Sequence, residues 1–249
     1  MIYLSIIIPC FNEAENYKKG VLLQVDNYLK KQTYSWEVII VDDGSTDSTV
    51  KLIKDFVKNK KEWNILCNTH KGKAAAVIKG MEKSSGEYIL FTDFDQATPI
   101  NQVKKLLDKT SDGFELIIGS REIQGAKREK EPFYRHLMGK IFNLLVQIFV
   151  ISGIHDTQCG FKLFKKAAIE RILKNIRVYK NTKAADAYTG AFDVELLFLA
   201  RKFNLKVIEM PINWHHVKTS RINPVKDSLR MFNDILKIRF YELIGKYEI

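Results

Sequence analysis

Leu90-Phe91-Thr92-Asp93-Phe94-Asp95 runs an apolar segment straight into two carboxylates separated by one residue. Glu87 to Phe91 is rich in β-forming side chains and predicts a buried strand, and Thr98-Pro99 opens a helix just beyond it. The carboxylates therefore fall at a strand's carboxyl end. In an open α/β sheet that edge is where ligands bind. A pair of hard oxygen donors there suits Mg²⁺ or Mn²⁺, with water and substrate phosphates completing the shell. Turn chemistry is the competing reading, because Asp is common in turns and helix caps. The neighbouring segments decide between the two.

Upstream the same grammar repeats. Leu4 to Ile8 is a β-branched run that Pro9 is expected to end; Phe11-Asn12-Glu13 follows, and then Val21, Leu22, Val25 and Leu29 share a helical stripe. Glu37 to Val41 leads into Asp42-Asp43-Gly44-Ser45-Thr46-Asp47, where Ser45 or Thr46 suits the cap of a helix carrying Val50, Ile53, Phe56 and Val57. Two adjacent carboxylates exceed what a turn needs, so one is expected to accept hydrogen bonds from a nucleobase or ribose. Asn64 to Cys67 reads as a third strand, and Lys71-Gly72-Lys73 begins a helix with charge suited to a phosphate. The glycine spacing of a P-loop or dinucleotide-binding turn is missing, which removes ATPase and nicotinamide dehydrogenase readings. Repeated strand, turn and helix units predict an α/β fold with a mostly parallel central sheet flanked by helices.

Downstream, a helix from about Pro99 to Lys109 precedes the strand Phe114 to Ile118, which ends in Gly119-Ser120-Arg121. At that edge the Arg121 guanidinium can reach a diphosphate bidentately. Ile123 to Glu131 reads as a mobile, charged connection. In the helix from Phe133, one stripe holds Leu137, Ile141, Leu145, Ile148 and Phe149, with Met138, Phe142 and Val146 beside it. That apolar coverage fits either a helix buried on two sides or one meeting lipid or a partner. A polar turn from Ile154 enters a short strand, residues 175–190 read as a long binding loop, and the next helix carries Asp193 and Glu195 where they suit its dipole. Leu205 to Pro211 and Ile212 to His216 read as strands. In the tail Leu229, Phe232, Leu236, Phe240 and Leu243 lie opposite Lys226, Arg230 and Lys237, a basic amphipathic helix suited to anionic headgroups.

With 249 residues, 46% hydrophobic and 28% charged, the chain reads as one globular domain, 1–249, with halves 1–121 and 122–249. Its net charge of +11 calls for an anionic partner, such as a phosphorylated substrate or a membrane surface. Nucleic acid fits the sign, but no basic groove with interleaved aromatics is present. Cys10, Cys67 and Cys159 lie far apart, which speaks against a disulfide framework or zinc site and for a reducing compartment. The strongly apolar run from Ile141 to Ile154 falls short of the roughly 20 residues that span a bilayer. A cytoplasmic protein peripheral on the membrane's cytoplasmic face is expected.

Ile8-Pro9-Cys10-Phe11-Asn12-Glu13, Val41 to Asp47, Lys71-Gly72-Lys73 and Asp93-Phe94-Asp95 together resemble the GT-A family 2 glycosyltransferases. Gly119-Ser120-Arg121, Gln158-Cys159-Gly160-Phe161-Lys162, Phe192-Asp193-Val194-Glu195, Pro211-Ile212-Asn213-Trp214 and Ser220-Arg221 extend the likeness to the polyprenyl-phosphate branch, the dolichyl-phosphate glucosyl- and mannosyltransferases. The resemblance implies a GT-A (nucleotide-diphospho-sugar transferase) fold. It also implies inverting, metal-dependent hexose transfer from a UDP- or GDP-sugar to a polyprenyl phosphate. Pro9, Phe11, Glu13, Val41 and Asp43 would form the nucleoside pocket, with Lys73 and Phe94 also on the donor side. Asp93 and Asp95 would hold Mg²⁺ or Mn²⁺ and the diphosphate. Arg121, Arg135 and Arg221 are expected at the donor or lipid phosphate, and Asp156 to Lys162, including Gln158, beside the acceptor.

Ala97 stands where the mannosyl relatives carry a glutamine, and Gln96 is one place too early, so the glucosyl branch is the closer likeness. Members of that branch often carry an N-terminal membrane helix, for which the residues ahead of Leu4 give no signal. A phosphate monoester is largely dianionic near neutral pH, its second pKa being about 6, so it needs no strong base. Asp156, then Asp193, is expected to orient or deprotonate the acceptor. The alternatives are a family 2 enzyme acting on a soluble saccharide or protein hydroxyl, and an inert sugar-nucleotide or nucleic-acid binder. A homo-oligomer is compatible with either.

Overall fold

The computed structural model describes residues 2–129, 133–180, 190–217 and 224–247, without the side chains of 133–135 and 224–225. In chain order the strands are β1 (Leu4–Cys10), β2 (Trp36–Asp42), β3 (Trp63–Cys67), β4 (Tyr88–Thr92), β5 (Leu116–Ser120), β6 (Lys127–Arg128), β7 (Phe161–Lys165), β8 (Val207–Pro211) and β9 (Asn213–Trp214). The helices are α1 (Ala14–Lys18), α2 (Val21–Leu29), α3 (Thr49–Val57), α4 (Lys73–Lys83), α5 (Val103–Asp108), α6 (Phe133–Phe149), α7 (Lys166–Asn175), α8 (Phe192–Lys202) and α9 (Pro224–Leu243).

Seven strands form one sheet in the order β3-β2-β1-β4-β7-β5-β8, parallel except for β7, which runs antiparallel to both neighbours. This is the mostly parallel, helix-flanked sheet expected from the repeated strand, turn and helix units. Period-two alternation divides the core. Ile7, Val41, Phe91 and Phe164 face α4, α7 and α8, while Ile6, Ile8, Leu90 and Leu163 face α2, α3 and α5. Helix α4 lies directly on β1, since a Cβ at Gly80 would meet Ile7 Cγ2 at 2.4 Å.

The reversed strand positions the site. Thr92 pairs with Phe161 and Tyr88 with Lys165, so β7 begins where β4 ends and the turn before it meets the Asp93 loop. Residue patterning predicts β7 but carries no information on its direction, because periodicity is the same both ways.

Several expectations change. β1 continues through Pro9 to Cys10; its ladder with β4 stops at Ile7, so the last residues pair on one side only, a condition that tolerates proline. Helix α3 starts at Thr49, so Ser48 holds the cap position expected of Ser45 or Thr46, without a side-chain cap bond, and the Thr49 N–H donates to Asp47 Oδ1 at 2.9 Å. The connection expected to be mobile contains β6, which pairs with β9. Most of the 175–190 loop lies outside the described residues.

On α6 the stripe of Leu137, Ile141, Ile148 and Phe149 faces outward. Leu137, Ile141, Leu144 and Ile148 are 45, 50, 57 and 64% exposed, while Phe142 and Val146 enter the core. α9 packs beside it, with Phe149 and Phe232 edge to face at 6.1 Å and Ile235 and Ile238 buried. Its Leu229, Leu236, Phe240 and Leu243 remain exposed. Among the described residues no helix is long and apolar enough to cross a membrane.

Candidate functional site

Asp93 and Asp95 emerge from β4 at the carboxyl edge of the sheet, as the strand reading requires. Phe94 turns the other way and is buried with Ile100 and Val103, so it anchors the turn instead of lining a donor pocket. Asp93 Oδ1 meets Lys73 Nζ at 2.6 Å, and that ammonium sits over the Phe91 ring, 5.3 Å from its centroid. Burial opposes the Lys73 charge, but Asp93 more than offsets it and raises its pKa. Asp95 Oδ1 accepts from the Ala97 N–H at 3.0 Å. Burial first, and then the neighbouring Asp93 charge, push its carboxyl up to about 6. Gln96, in a left-handed conformation with φ 51°, donates from Nε2 to the Asp93 carbonyl at 2.9 Å.

Two crowded carboxylates that repel each other fit a divalent cation, because Mg²⁺ and Mn²⁺ take hard oxygens and complete their shell with water and phosphate. Among the described residues no set of three His, Cys, Asp or Glu side chains gathers.

Gly160, just ahead of β7, makes the close approach possible: a Cβ there would meet Asp93 Oδ2 at 2.1 Å. Gly160→Ala removes no functional group yet must displace that carboxylate. A loss of about 10²-fold in kcat/KM is expected, from misplacement alone. Steady-state assays check this, and activity within a few-fold of the parent would show that Asp93 tolerates the shift.

At the other end of the edge, the loops after β1, β2 and β3 interlock. Asn12, with φ 53°, accepts at Oδ1 from Thr46 N at 2.8 Å, while its own N–H donates to Ser45 Oγ at 2.8 Å. Glu13 N donates to Thr49 Oγ1 at 2.7 Å. The paired acids of this loop diverge. Asp42 Oδ2 accepts from Gly44 N and Ser45 N at 3.0 and 3.1 Å. Asp43 accepts from Lys71 N at 2.9 Å and from Gly72 N and His70 Nδ1 at 2.8 Å. The Asp43 carboxylate, expected on the nucleoside, thus holds the 70–72 loop first. Val41 packs on α4 beneath the sheet, so it offers a nucleoside only backbone, and Pro9 is buried beside it. Phe11 and Glu13 are half-buried at the edge.

Around the reversed strand the expected acceptor residues split. Asp156 binds Arg121 bidentately, Oδ2 to Nε at 2.7 Å and Oδ1 to Nη2 at 2.8 Å, and also accepts from the Arg121 N–H at 2.9 Å. Burial works against the Asp156 charge, but Arg121 prevails and holds its carboxyl below the usual range. A carboxylate so held is a poor proton acceptor, which corrects its expected role as a base. Likewise the Arg121 fork grips a carboxylate where a diphosphate was expected. The Arg121 and Arg128 guanidiniums both lie 5.5 Å from the Trp214 ring centroid, and Glu209 accepts from Asp156 N at 2.9 Å.

Lys162 also departs from expectation. Its side chain is fully buried, bonded to Asp193 Oδ1 at 2.5 Å and to the Cys159 carbonyl, so it braces the turn and reaches no acceptor. Asp193, expected as a second base, is its buried partner; burial raises its carboxyl, and Lys162 only partly offsets this. Glu195 accepts from Arg177 N, Val178 N and Tyr179 N at 2.7, 2.8 and 3.1 Å. Gln158, expected beside the acceptor, has a buried Nε2 that finds no hydrogen-bond acceptor among the described residues. The Arg135 side chain and Arg221 lie outside the described residues.

Residue reading missed His70 and Glu209, the stacking role of Trp214, and the room that Gly160, quoted only as part of the acceptor segment, leaves for Asp93. Only Gly160 carried a local signal, a glycine directly before a strand. A cavity of about 770 Å³ bordered by Asn68, Lys71, Lys79 and Tyr179 shares Lys71 with the 70–72 loop.

Comparison with known proteins follows the same lines. The family description Glycosyl transferase family 2 matches residues 5–173. Dolichyl-phosphate beta-glucosyltransferase of Dictyostelium discoideum is 34% identical over 262 residues, covering 100% of this chain and 77% of that protein. Mannosyl-3-phosphoglycerate synthase from Rubrobacter xylanophilus superposes with a TM-score of 0.69 at 15% identity, over 98% of this chain and 76% of its own. Glucosyl-3-phosphoglycerate synthase from Mycobacterium tuberculosis, solved with Mn²⁺, UDP and glucosyl-3-phosphoglycerate, gives 0.61 at 16% identity over 100% and 81%. At those identities the two structures speak for the fold alone.

Proposed function

The chain belongs to glycosyl transferase family 2, and on that premise we propose that it transfers glucose from UDP-glucose to dolichyl or another polyprenyl phosphate, with inversion at the anomeric carbon. The observation that carries this reading is the meeting of the Lys73–Asp93 pair with the Asp156–Gly160 turn that leads into β7, in a chain alike from end to end to a dolichyl-phosphate beta-glucosyltransferase.

In the proposed reaction an oxygen of the lipid phosphate attacks the anomeric carbon opposite the diphosphate. The new C–O bond forms as the bond to the leaving UDP oxygen breaks. Asp93 and Asp95 would hold Mg²⁺ or Mn²⁺, which neutralises charge on the leaving diphosphate. Lys73 adds positive charge on the same side. Phe11, Glu13 and Asp43 border the nucleoside, and Gln158 offers its amide to the acceptor. Asp156 and Asp193 act at one remove, holding Arg121 and Lys162 in place. The reading of halves 1–121 and 122–249 as one domain is supported by β7 of the second lying between β4 and β5 of the first.

The acceptor's hydrocarbon tail calls for a bilayer. The exposed apolar rows of α6 and α9 carry Lys140, Lys237 and Arg239 around them, a combination suited to an anionic leaflet. Attachment there, on the cytoplasmic face, accords with three unpaired cysteines. Incubation with UDP-glucose, Mn²⁺ and polyprenyl phosphate in anionic vesicles is expected to yield a glucosylated lipid, with EDTA abolishing it and the protein floating with the vesicles at low salt. Glucose transfer to water-soluble acceptors but not to the lipid would overturn the acceptor assignment.

A further inference from the structure

Three strand-end loops converge on His70. Its imidazole lies nearly parallel to the Phe11 ring, with centroids 4.3 Å apart and planes at 15°. Its Nδ1 is 2.8 Å from Asp43 Oδ2 and 3.0 Å from the Asp43 carbonyl. Both partners are acceptors, so Nδ1 is the donor of this contact, and Nε2 is the ring's other polar atom. The approach is built in. Gly44, at φ +80°, leaves room where a Cβ would meet His70 N at 2.9 Å.

We infer that His70 is a positioning residue for the nucleotide half of the donor, acting through Phe11 and Asp43. This rests on the donor site proposed above. Phe11 follows β1, Asp43 follows β2 and His70 follows β3, so one imidazole ties the aromatic and the carboxylate of that pocket into a single unit. The 4.3 Å stack leaves no room for a base between the two rings. A base therefore stacks on the far face of one of them, against a wall already ordered before it arrives, which lowers the cost of binding. The consequence is confined to donor affinity, because the side-chain hydrogen bonds and ring contact of His70 among the described residues go to Asp43 and Phe11.

Calorimetric titration of UDP and steady-state kinetics on the full chain test this. His70→Ala is expected to weaken UDP binding and raise donor KM about tenfold, from loss of the stack and of a bond to a carboxylate. kcat should stay within about twofold and the acceptor KM should not move, the signature of lost ground-state positioning. His70→Phe, which keeps the stack without the tether, should recover much of the loss. UDP affinity in His70→Ala equal to the parent's would overturn the inference, as would a parallel fall in kcat and melting temperature without rescue by His70→Phe. A parent protein that binds neither UDP nor GDP would instead refute the donor site itself.

Discussion

Asp95→Asn is expected to lower kcat/KM by about 10²–10³-fold, the scale of losing one preorganised charge-stabilising group, while the protein melts no lower than its parent. The two halves of this result have one cause. Asp95 is half-buried beside Asp93, and partial burial first, then the Asp93 charge, push its carboxyl up to about 6. A folded-state pKa above the unfolded value means the folded chain binds the extra proton. Stability from this group is therefore greatest in acid and falls as pH rises through about 6, unless a cation neutralises the pair. A neutral amide removes the repulsion and, with it, the anionic oxygen that a divalent ion would take. Steady-state assays with saturating Mn²⁺, together with thermal melts without metal, read both effects. Full activity in the variant would remove Asp95 from the proposed cation site.

Lys162→Ala is expected to cost about 3–5 kcal/mol, the range for breaking a buried ion pair by removing one partner. For a chain of this size that corresponds to a fall of roughly 6–20 °C in Tm. Lys162 is wholly buried and Asp193 nearly so, and their bond joins β7 to the first turn of α8. With the ammonium gone, Asp193 is left charged in a place where burial already raises its carboxyl. The double variant Lys162→Met/Asp193→Leu should recover much of the stability, since replacing both charges by apolar groups is often neutral. Equilibrium denaturation of the two variants checks this. A single variant as stable as the parent would mean that water reaches the pair.

The sheet was legible because its strands are β-branched runs ending in acidic turns, a pattern set by neighbours in the chain. The same holds for Asp93 and Asp95: a strand's end places them, whatever the rest of the fold does. Other residues were legible as important but not in their roles. Lys162 and Asp156 looked exposed to an acceptor, yet each is met by a partner about thirty residues away in the chain. On α6, helical periodicity found two apolar stripes but could not rank them, because which one is buried depends on where α9 packs.

Composition and local order thus determined that this chain is an α/β protein with an acidic pair at a ligand-binding edge, because strand propensity and turn chemistry act over a few residues. The reversal of β7, the pairing of Arg121 with Asp156 and of Lys162 with Asp193, and the stacking of His70 on Phe11 were decided by tertiary structure. Each depends on which distant segment arrives beside which, and on burial that leaves a charge or ring no other partner.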